Sequence, residues 1–374
     1  MSSKGKKPVV VYGASGYTGR LVCEFLRQYQ IPFIAAGRDG KRVQEVMDKL
    51  PGIETADYEV AEVSNETDDL AKLFKGAKVV CNIVGPFERF GEPVVQAALE
   101  AGVHYIDTTG EPAFLEMVKD KYGAKFADKG LLLAPCTAYM YTPAEICARI
   151  CLEDGDIDTL EVVTAGGFVP TFASTQSIYS LFSHDAKYLK NNVLEAWVPG
   201  KGYEVYVPGF AVNQLVHPWA GGNLPHVFKE HPTVHTVRQF SGNTDRDLME
   251  GVIAMQQQFE EEVRSIKSES KRKATLDAMV DAVESFMPPR ELTLVNRSCD
   301  IATGTGSAGG RKVVIQSTSP YTQTGVIQAA TVNMLLAQPP AKVGFATACE
   351  AVGHHYLLGQ LKSFFPLKLT ITDV

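Results

Sequence analysis

Short, uninterrupted apolar runs recur along the first part of the chain, each followed by a stretch with helical spacing. Val9-Val10-Val11-Tyr12, Phe33-Ile34-Ala35-Ala36, Tyr58 to Val63, Val79 to Val84, Val103 to Ile106 and Leu131 to Ala134 read as strands. Leu21 to Tyr29, Val43 to Leu50, Leu70 to Phe74, Val94 to Ala101 and Ala113 to Ala127 read as the helices between them. Strands that are apolar on both faces and spaced by helices predict a parallel sheet covered on both sides. This succession predicts a doubly wound α/β domain of the Rossmann type over residues 1–150.

After Pro143 the pattern changes. Asp158 to Phe168, Tyr203 to Val207, Val234 to Phe240, Glu291 to Ile301 and Lys312 to Ser317 read as strands. Several alternate apolar and polar residues, as in Leu292-Thr293-Leu294-Val295, which suits a mostly antiparallel sheet with one wet face. Leu248 to Phe286, Ile327 to Leu336 and Val343 to Leu361 read as helical. The expected second domain is an α+β unit over 151–320 that serves substrate and dimerisation, with helices in 321–374 available to pack back onto the first.

Composition narrows the classes. Lys plus Arg number 36 and Asp plus Glu 43, for a net charge of −7, which offers no general phosphate-binding face and argues against nucleic acid. No window reaches the ~18 uncharged apolar residues of a membrane span. The N-terminus lacks the apolar region of a signal peptide, so a cytoplasmic location is expected. Seven scattered cysteines without a C-x-x-C pair fit a reducing compartment, and Cys147 and Cys151 share a helix face that burial explains. The eight histidines show no metal spacing, and no metal is expected.

The chemistry begins at the first βα turn. Gly13-Ala14-Ser15-Gly16-Tyr17-Thr18-Gly19 is a G-x-x-G-x-x-G loop between a buried strand and a helix. Gly13 permits the tight turn, Gly16 the approach of pyrophosphate, and Gly19 close helix–strand packing, while the helix N-terminus faces the phosphates. Ser15, Tyr17 and Thr18 complete the candidate cofactor loop. The second strand ends in Ala36-Gly37-Arg38, where an NAD enzyme usually carries an acid; Arg38 suits a 2′-phosphate, although Asp39 beside it could reach a ribose. Val84, Gly85, Pro86 and Phe87 end the fourth strand, at the edge where a nicotinamide would lie.

The phosphate loop, Ala36-Gly37-Arg38, Asn82 to Phe87 and His104 to Glu111 together resemble the saccharopine dehydrogenase-like oxidoreductases, a family that includes trans-acting enoyl reductases. The resemblance is clear over about the first 145 residues. It implies a Rossmann domain, NAD(P) binding and a second α+β domain over the nicotinamide. Many members carry Gly-Phe-Asp-Ser-x-Pro-x-Asp after the sixth strand. This chain has Ala138-Tyr139-Met140-Tyr141-Thr142-Pro143-Ala144-Glu145, which replaces the first acid by Met140 and favours an apolar substrate.

The expected protein is an NADP(H)-dependent oxidoreductase that transfers hydride to a conjugated C=C or a C=O of a small apolar molecule. Tyr141 is the first candidate to polarise a carbonyl, with Tyr139 second. Phe87, Met140, Phe168, Phe172 and Trp219 are candidate substrate walls, and the pocket is expected between the sheet's carboxyl edge and the second domain. A homodimer through the second domain is expected on general grounds. The alternatives are a saccharopine-type imine or amino-acid dehydrogenase and a non-catalytic NADP-binding sensor or scaffold.

Overall fold

The computed structural model describes residues 6–154, 156–218 and 222–374. In chain order the elements are β1 (Val9–Tyr12), α1 (Tyr17–Gln28), β2 (Phe33–Gly37), α2 (Gly40–Met47), β3 (Tyr58–Glu62), α3 (Thr67–Phe74), β4 (Val79–Asn82), α4 (Phe87–Ala101), β5 (His104–Asp107), α5 (Pro112–Asp128), β6 (Leu132–Ala134) and α6 (Thr142–Cys151). There follow β7 (Ile157–Gly166), α7 (Phe172–Leu181), β8 (Lys187–Lys190), β9 (Val193–Ala196), β10 (Tyr203–Val205), β11 (Gln214–Pro218), α8 (Leu224–Val227), β12 (Thr236–Asn243), α9 (Arg246–Phe259) and α10 (Glu269–Asp281). The chain ends with β13 (Arg297–Gly306), β14 (Gly309–Thr318), α11 (Pro320–Ala337), β15 (Gly344–Phe345), α12 (His354–Phe364) and β16 (Lys368–Asp373).

Two compact units result. The first comprises Met1–Thr109, Phe114–Tyr139 and Tyr321–Phe364. Its seven strands run in the order β15-β6-β5-β4-β1-β2-β3, every pair parallel. That is the doubly wound order, with its reversal between β1 and β4. β1, β2, β4 and β6 are buried along their whole length, as their unbroken apolar runs require. One face of the sheet packs Tyr12, Ile34, Val80, Tyr105 and Leu133 against Leu70, Phe74, Val94, Val118 and Phe126.

The second unit comprises Gly110–Ala113, Met140–Pro320 and Phe365–Val374. Its main strand order is β10-β11-β12-β7-β13-β14-β16, with β8 and β9 added beside β12. Only the β7–β12 pair is parallel, so the sheet is mostly antiparallel as expected. One face of it carries Val163, Ala165, Val216, Phe240, Cys299, Ile301 and Val314 in a single apolar cluster.

Three expectations about elements are corrected. The segment read as helical from Val343 starts instead with β15, whose Gly344 and Phe345 pair with Leu132 and Leu133 of β6, and helical structure begins only after Thr347. Leu292 to Val295 is a turn rather than the start of a strand. The Leu292 carbonyl accepts from Val295 and Asn296, and the Asn296 side chain accepts the Leu292 N–H at 2.8 Å. That Asn closure competes with a sheet ladder and wins because no neighbouring strand supplies one. The helical block from Leu248 is likewise interrupted: α9 ends at Phe259, and Ser268 caps a separate α10 by accepting from Lys271 N.

Candidate cofactor site

The phosphate loop is built on two strand ends. Gly13 N and Ala14 N both donate to the Ala36 carbonyl of β2, at 2.9 and 3.1 Å, so the turn is tied to the neighbouring strand. Gly13 has φ +93°, and a Cβ there would stand 2.9 Å from Val84 Cγ2 and 3.1 Å from the Ile83 carbonyl carbon. At Gly19 a Cβ would fall 2.2 Å from the Gly13 oxygen. Both glycines are demanded by the protein's own packing.

Gly16 differs. It precedes α1 in extended backbone, φ −74° and ψ 168°, which any residue adopts. An added Cβ would meet only the Gly13 oxygen, at 3.4 Å. The fold therefore does not require glycine there, whereas a pyrophosphate lying on the loop does. The first turn of α1 has no side-chain cap and no acid, which leaves its N–H groups and positive dipole end to an anion. These features fit a dinucleotide.

At the end of β2, Arg38 and Asp39 are held differently. Asp39 caps α2, its carboxylate accepting from Arg42 N at 2.9 Å. Glu62, at the end of β3, accepts from Gly40 N at 2.9 Å. Both acids are thus engaged by backbone N–H groups of α2. Arg38 is exposed and has no carboxylate partner among the described residues, and its charge is felt at the Tyr12 hydroxyl. Arg20 reaches the Ser15 carbonyl at 3.4 Å; burial first, and then the like charge of Arg42, lowers its pKa. Arg20 and Arg42 were not singled out in the sequence, because one lies on α1 and the other on α2 and only folding makes them neighbours.

The carboxyl edge of β4, β5 and β6 is held by a buried network. Asn82 accepts from Val84 N at 3.1 Å and donates to the Tyr105 hydroxyl at 3.0 Å. Tyr105 donates to Asp107 at 2.8 Å, and the other Asp107 oxygen accepts from Thr109 N and Cys136 N. Gln328 of α11 donates to the Asp107 and Thr137 carbonyls at 3.1 and 2.7 Å. The chain from Val84 to Thr137 is therefore fixed where a nicotinamide would lie. Burial, with Asp107 next to it, drives the Tyr105 hydroxyl well above its ordinary range, so it remains a donor.

The remaining candidates are dispersed. Phe87 is buried in the core of the first unit against Phe114, with ring centroids 5.8 Å apart. Pro86 is buried, while Val84 and Gly85 are partly exposed. Tyr17 packs edge-on against Tyr321 at 5.2 Å. Tyr139 is 2% exposed, and its N–H donates to Thr324 Oγ1. In the second unit Tyr141 is 6% exposed and its hydroxyl lies over Gly110, where a Cβ would come within 1.7 Å of it. Glu111 beside that glycine is buried and accepts from Ser177 at 2.8 Å. Met140, Phe168 and Phe172 are half-buried; Trp219 lies outside the described residues. All seven cysteines are buried and unbridged. No helix among the described residues is long and apolar enough to cross a membrane.

The first unit is thus a dinucleotide-binding fold, and residues 9–133 match the family described as Saccharopine dehydrogenase NADP binding domain. The chain as a whole belongs to the family described as Family of unknown function (DUF5938), whose model matches residues 142–372. A human saccharopine dehydrogenase-like oxidoreductase is 37% identical over 153 residues, covering 37% of this chain and 35% of its own length. A Mycobacterium tuberculosis protein, named provisionally as a trans-acting enoyl reductase, is 33% identical over 190 residues, or 47% of this chain and 45% of its own. The match thus spans about a third of the human relative's length. Saccharopine dehydrogenase of Saccharomyces cerevisiae shares the fold, with a TM-score of 0.60 at 12% identity over 98% of this chain and 100% of that one. The resemblance to saccharopine dehydrogenase-like oxidoreductases, the α/β class and NAD(P) binding by the first unit are borne out.

Proposed function

We propose that the chain is an NADP(H)-dependent reductase that delivers hydride to a conjugated C=C or a C=O of a small apolar molecule. The observation that carries the reading is the group formed by Gly16, which the fold does not need as glycine, and three arginines without carboxylate partners among the described residues. In a chain of net charge −7, such a concentration of positive charge beside a phosphate loop suits a 2′-phosphate.

A bound nicotinamide supplies the hydride. The chain's own residues bind and orient. Gly13 to Gly19 hold the pyrophosphate; Arg38, with Arg20 and Arg42, holds the 2′-phosphate; Val84 to Phe87, anchored through Asn82, Tyr105 and Asp107, give the ring a fixed backbone. Tyr141 is the proposed donor to a substrate oxygen as negative charge develops, and its packing on Gly110 restricts the ring. Arg246 and Arg264 of the second unit pair with Glu204, Glu250, Asp185 and Glu260, which takes these two out of a carboxylate-binding role. Met140 in place of an acid points the same way, and the enoyl preference draws on the resemblance and on the mycobacterial relative's name.

The test is NADPH oxidation with a panel of apolar enones, enoyl thioesters and ketones. Substrate-dependent oxidation is expected. A protein that binds NADPH but turns over only keto acids with amines is instead an imine-type dehydrogenase, and one that turns over nothing on either panel is a sensor.

A further inference from the structure

The second unit holds a row of polar side chains that the cofactor reading does not use. The strand register pairs His217 of β11 with Ser241 of β12, Ser241 with Thr164 of β7, and Thr164 with Asp300 of β13. Directly paired residues share a face, so these four side chains stand side by side, and the row ends at Ile315 of β14. Gln239, two residues along β12 from Ser241, points to the same face. The apolar cluster of Val163, Phe240, Cys299 and Ile301 occupies the opposite face.

The row is closed off from solvent. Thr164 and Asp300 are 0% exposed, and His217, Gln239 and Ser241 are 3% exposed. Helix α6 lies over the Asp300 end, with Cys147 Sγ at 3.5 Å from the Asp300 carbonyl. Helix α8 packs against β12, where Leu224 N donates to Gln239 Oε1 at 3.0 Å. Arg149 of α6 lies over the Phe228 ring at 5.7 Å and joins the two covers.

Within this enclosure the hydrogen-bonding account does not close. Ser241 Oγ and Gln239 Nε2 find no partner among the described residues, and the Asp300 carboxyl has only the Thr164 hydroxyl beside it. Native interiors pair nearly all such groups, with protein or with water. The donor set identifies what is missing. Two hydroxyls both donate and accept, the Gln239 amide donates, and the carboxyl accepts and, when protonated, also donates. A single carboxyl with no second acid is a poor cation site, and the same carboxyl repels anions.

We propose that this row is an enclosed hydration site, in which internal water links the Asp300–Thr164 pair to Ser241 and the Gln239 amide. The protonation states agree with it. Burial lowers the His217 pKa to about 4, so that ring is neutral near neutral pH, and burial holds the Asp300 carboxyl well above its usual range, toward the neutral acid. The adjacent Thr164 hydroxyl favours the carboxylate, but burial outweighs it.

A crystal structure of the full chain, at a resolution that shows ordered solvent, tests the proposal. Expected is density for water within ~3.2 Å of both Asp300 and a hydroxyl of the row. A direct Ser241–Gln239 hydrogen bond with no solvent density beside Asp300 overturns it, as does a larger molecule on the same atoms. In solution, magnetic relaxation dispersion of the water oxygen counts long-lived internal waters. The count is expected to fall in Ser241→Ala, and to fall further in Thr164→Val with Ser241→Ala. An unchanged count in the folded Ser241→Ala protein overturns the proposal.

Discussion

Gly16 sits in backbone open to any residue, and a Cβ there makes one ordinary contact. Gly16→Val is therefore expected to fold with unchanged thermal stability and to lose more than about a hundred-fold in NADPH affinity, about 2.7 kcal/mol. Calorimetric titration beside a melting curve reads both; normal NADPH affinity would make the loop merely structural. Arg42 lends itself to a different comparison. If it helps hold the 2′-phosphate, Arg42→Ala should weaken NADPH by at least ~ten-fold, near the lower end of the ~1.5–3 kcal/mol of a charge-assisted bond, and leave NADH unchanged. Equal losses for both cofactors would assign it a general role. For Tyr141, replacement by Phe is expected to lower kcat by ~a hundred-fold with NADPH affinity intact, the scale of a lost oxyanion donor; wild-type turnover removes it from the chemistry. At this scale the sequence displayed the packing glycines Gly13 and Gly19 plainly, and marked Gly16 and Arg38 as candidates, because spacing after a strand singles them out. It did not display Arg20 and Arg42, nor that Asp39 is occupied as a helix cap. Those facts depend on where α1 and α2 begin in space.

At the level of elements, β13 offers a pH experiment. The folded state raises the Asp300 pKa well above 3.8, burial being the larger cause and Thr164 the opposing one. The carboxyl lies near Cys147 from α6 and Cys299 on its own strand, and Thr164 is paired with it across the sheet. None of these is positively charged at neutral pH. Between the unfolded and the folded pKa the native state binds the extra proton, so this group's contribution to stability is complete below the unfolded value and falls as pH rises. Asp300→Asn should match the wild type near pH ~4 and exceed it increasingly above, in denaturant titrations over a pH series. A wild type whose stability relative to Asp300→Asn does not change with pH would contradict the neutral, buried carboxyl. Elements also show where pattern reading succeeds and fails. The uniformly apolar strands of the first sheet were legible because burial on both faces leaves no polar position. Leu292 to Val295 misled, since its alternation is that of a strand while Asn296 closes it as a turn. The short β8, β9 and β16 and the polar-faced α7 were not legible, because their stability comes from sheet neighbours and packing rather than from local pattern.

At the scale of the molecule, the second unit presents apolar side chains to solvent. Leu292 is 63% exposed, Leu294 88%, Val295 68% and Ile371, on the edge strand β16, 45%. Covering them in a two-fold dimer is the common solution, and light scattering at micromolar concentration should give twice the 40.7 kDa chain mass. A single-chain mass would contradict it. The central claim is more basic: the first unit holds NADP(H), and Arg38 makes the choice. The measurement that tests it most directly is calorimetric titration of the wild type and of Arg38→Ala with NADPH and with NADH. The wild type is predicted to favour NADPH by ~ten- to a hundred-fold and Arg38→Ala to lose that preference while keeping its NADH affinity. Equal affinities in the wild type, or undiminished NADPH binding in Arg38→Ala, would contradict the account.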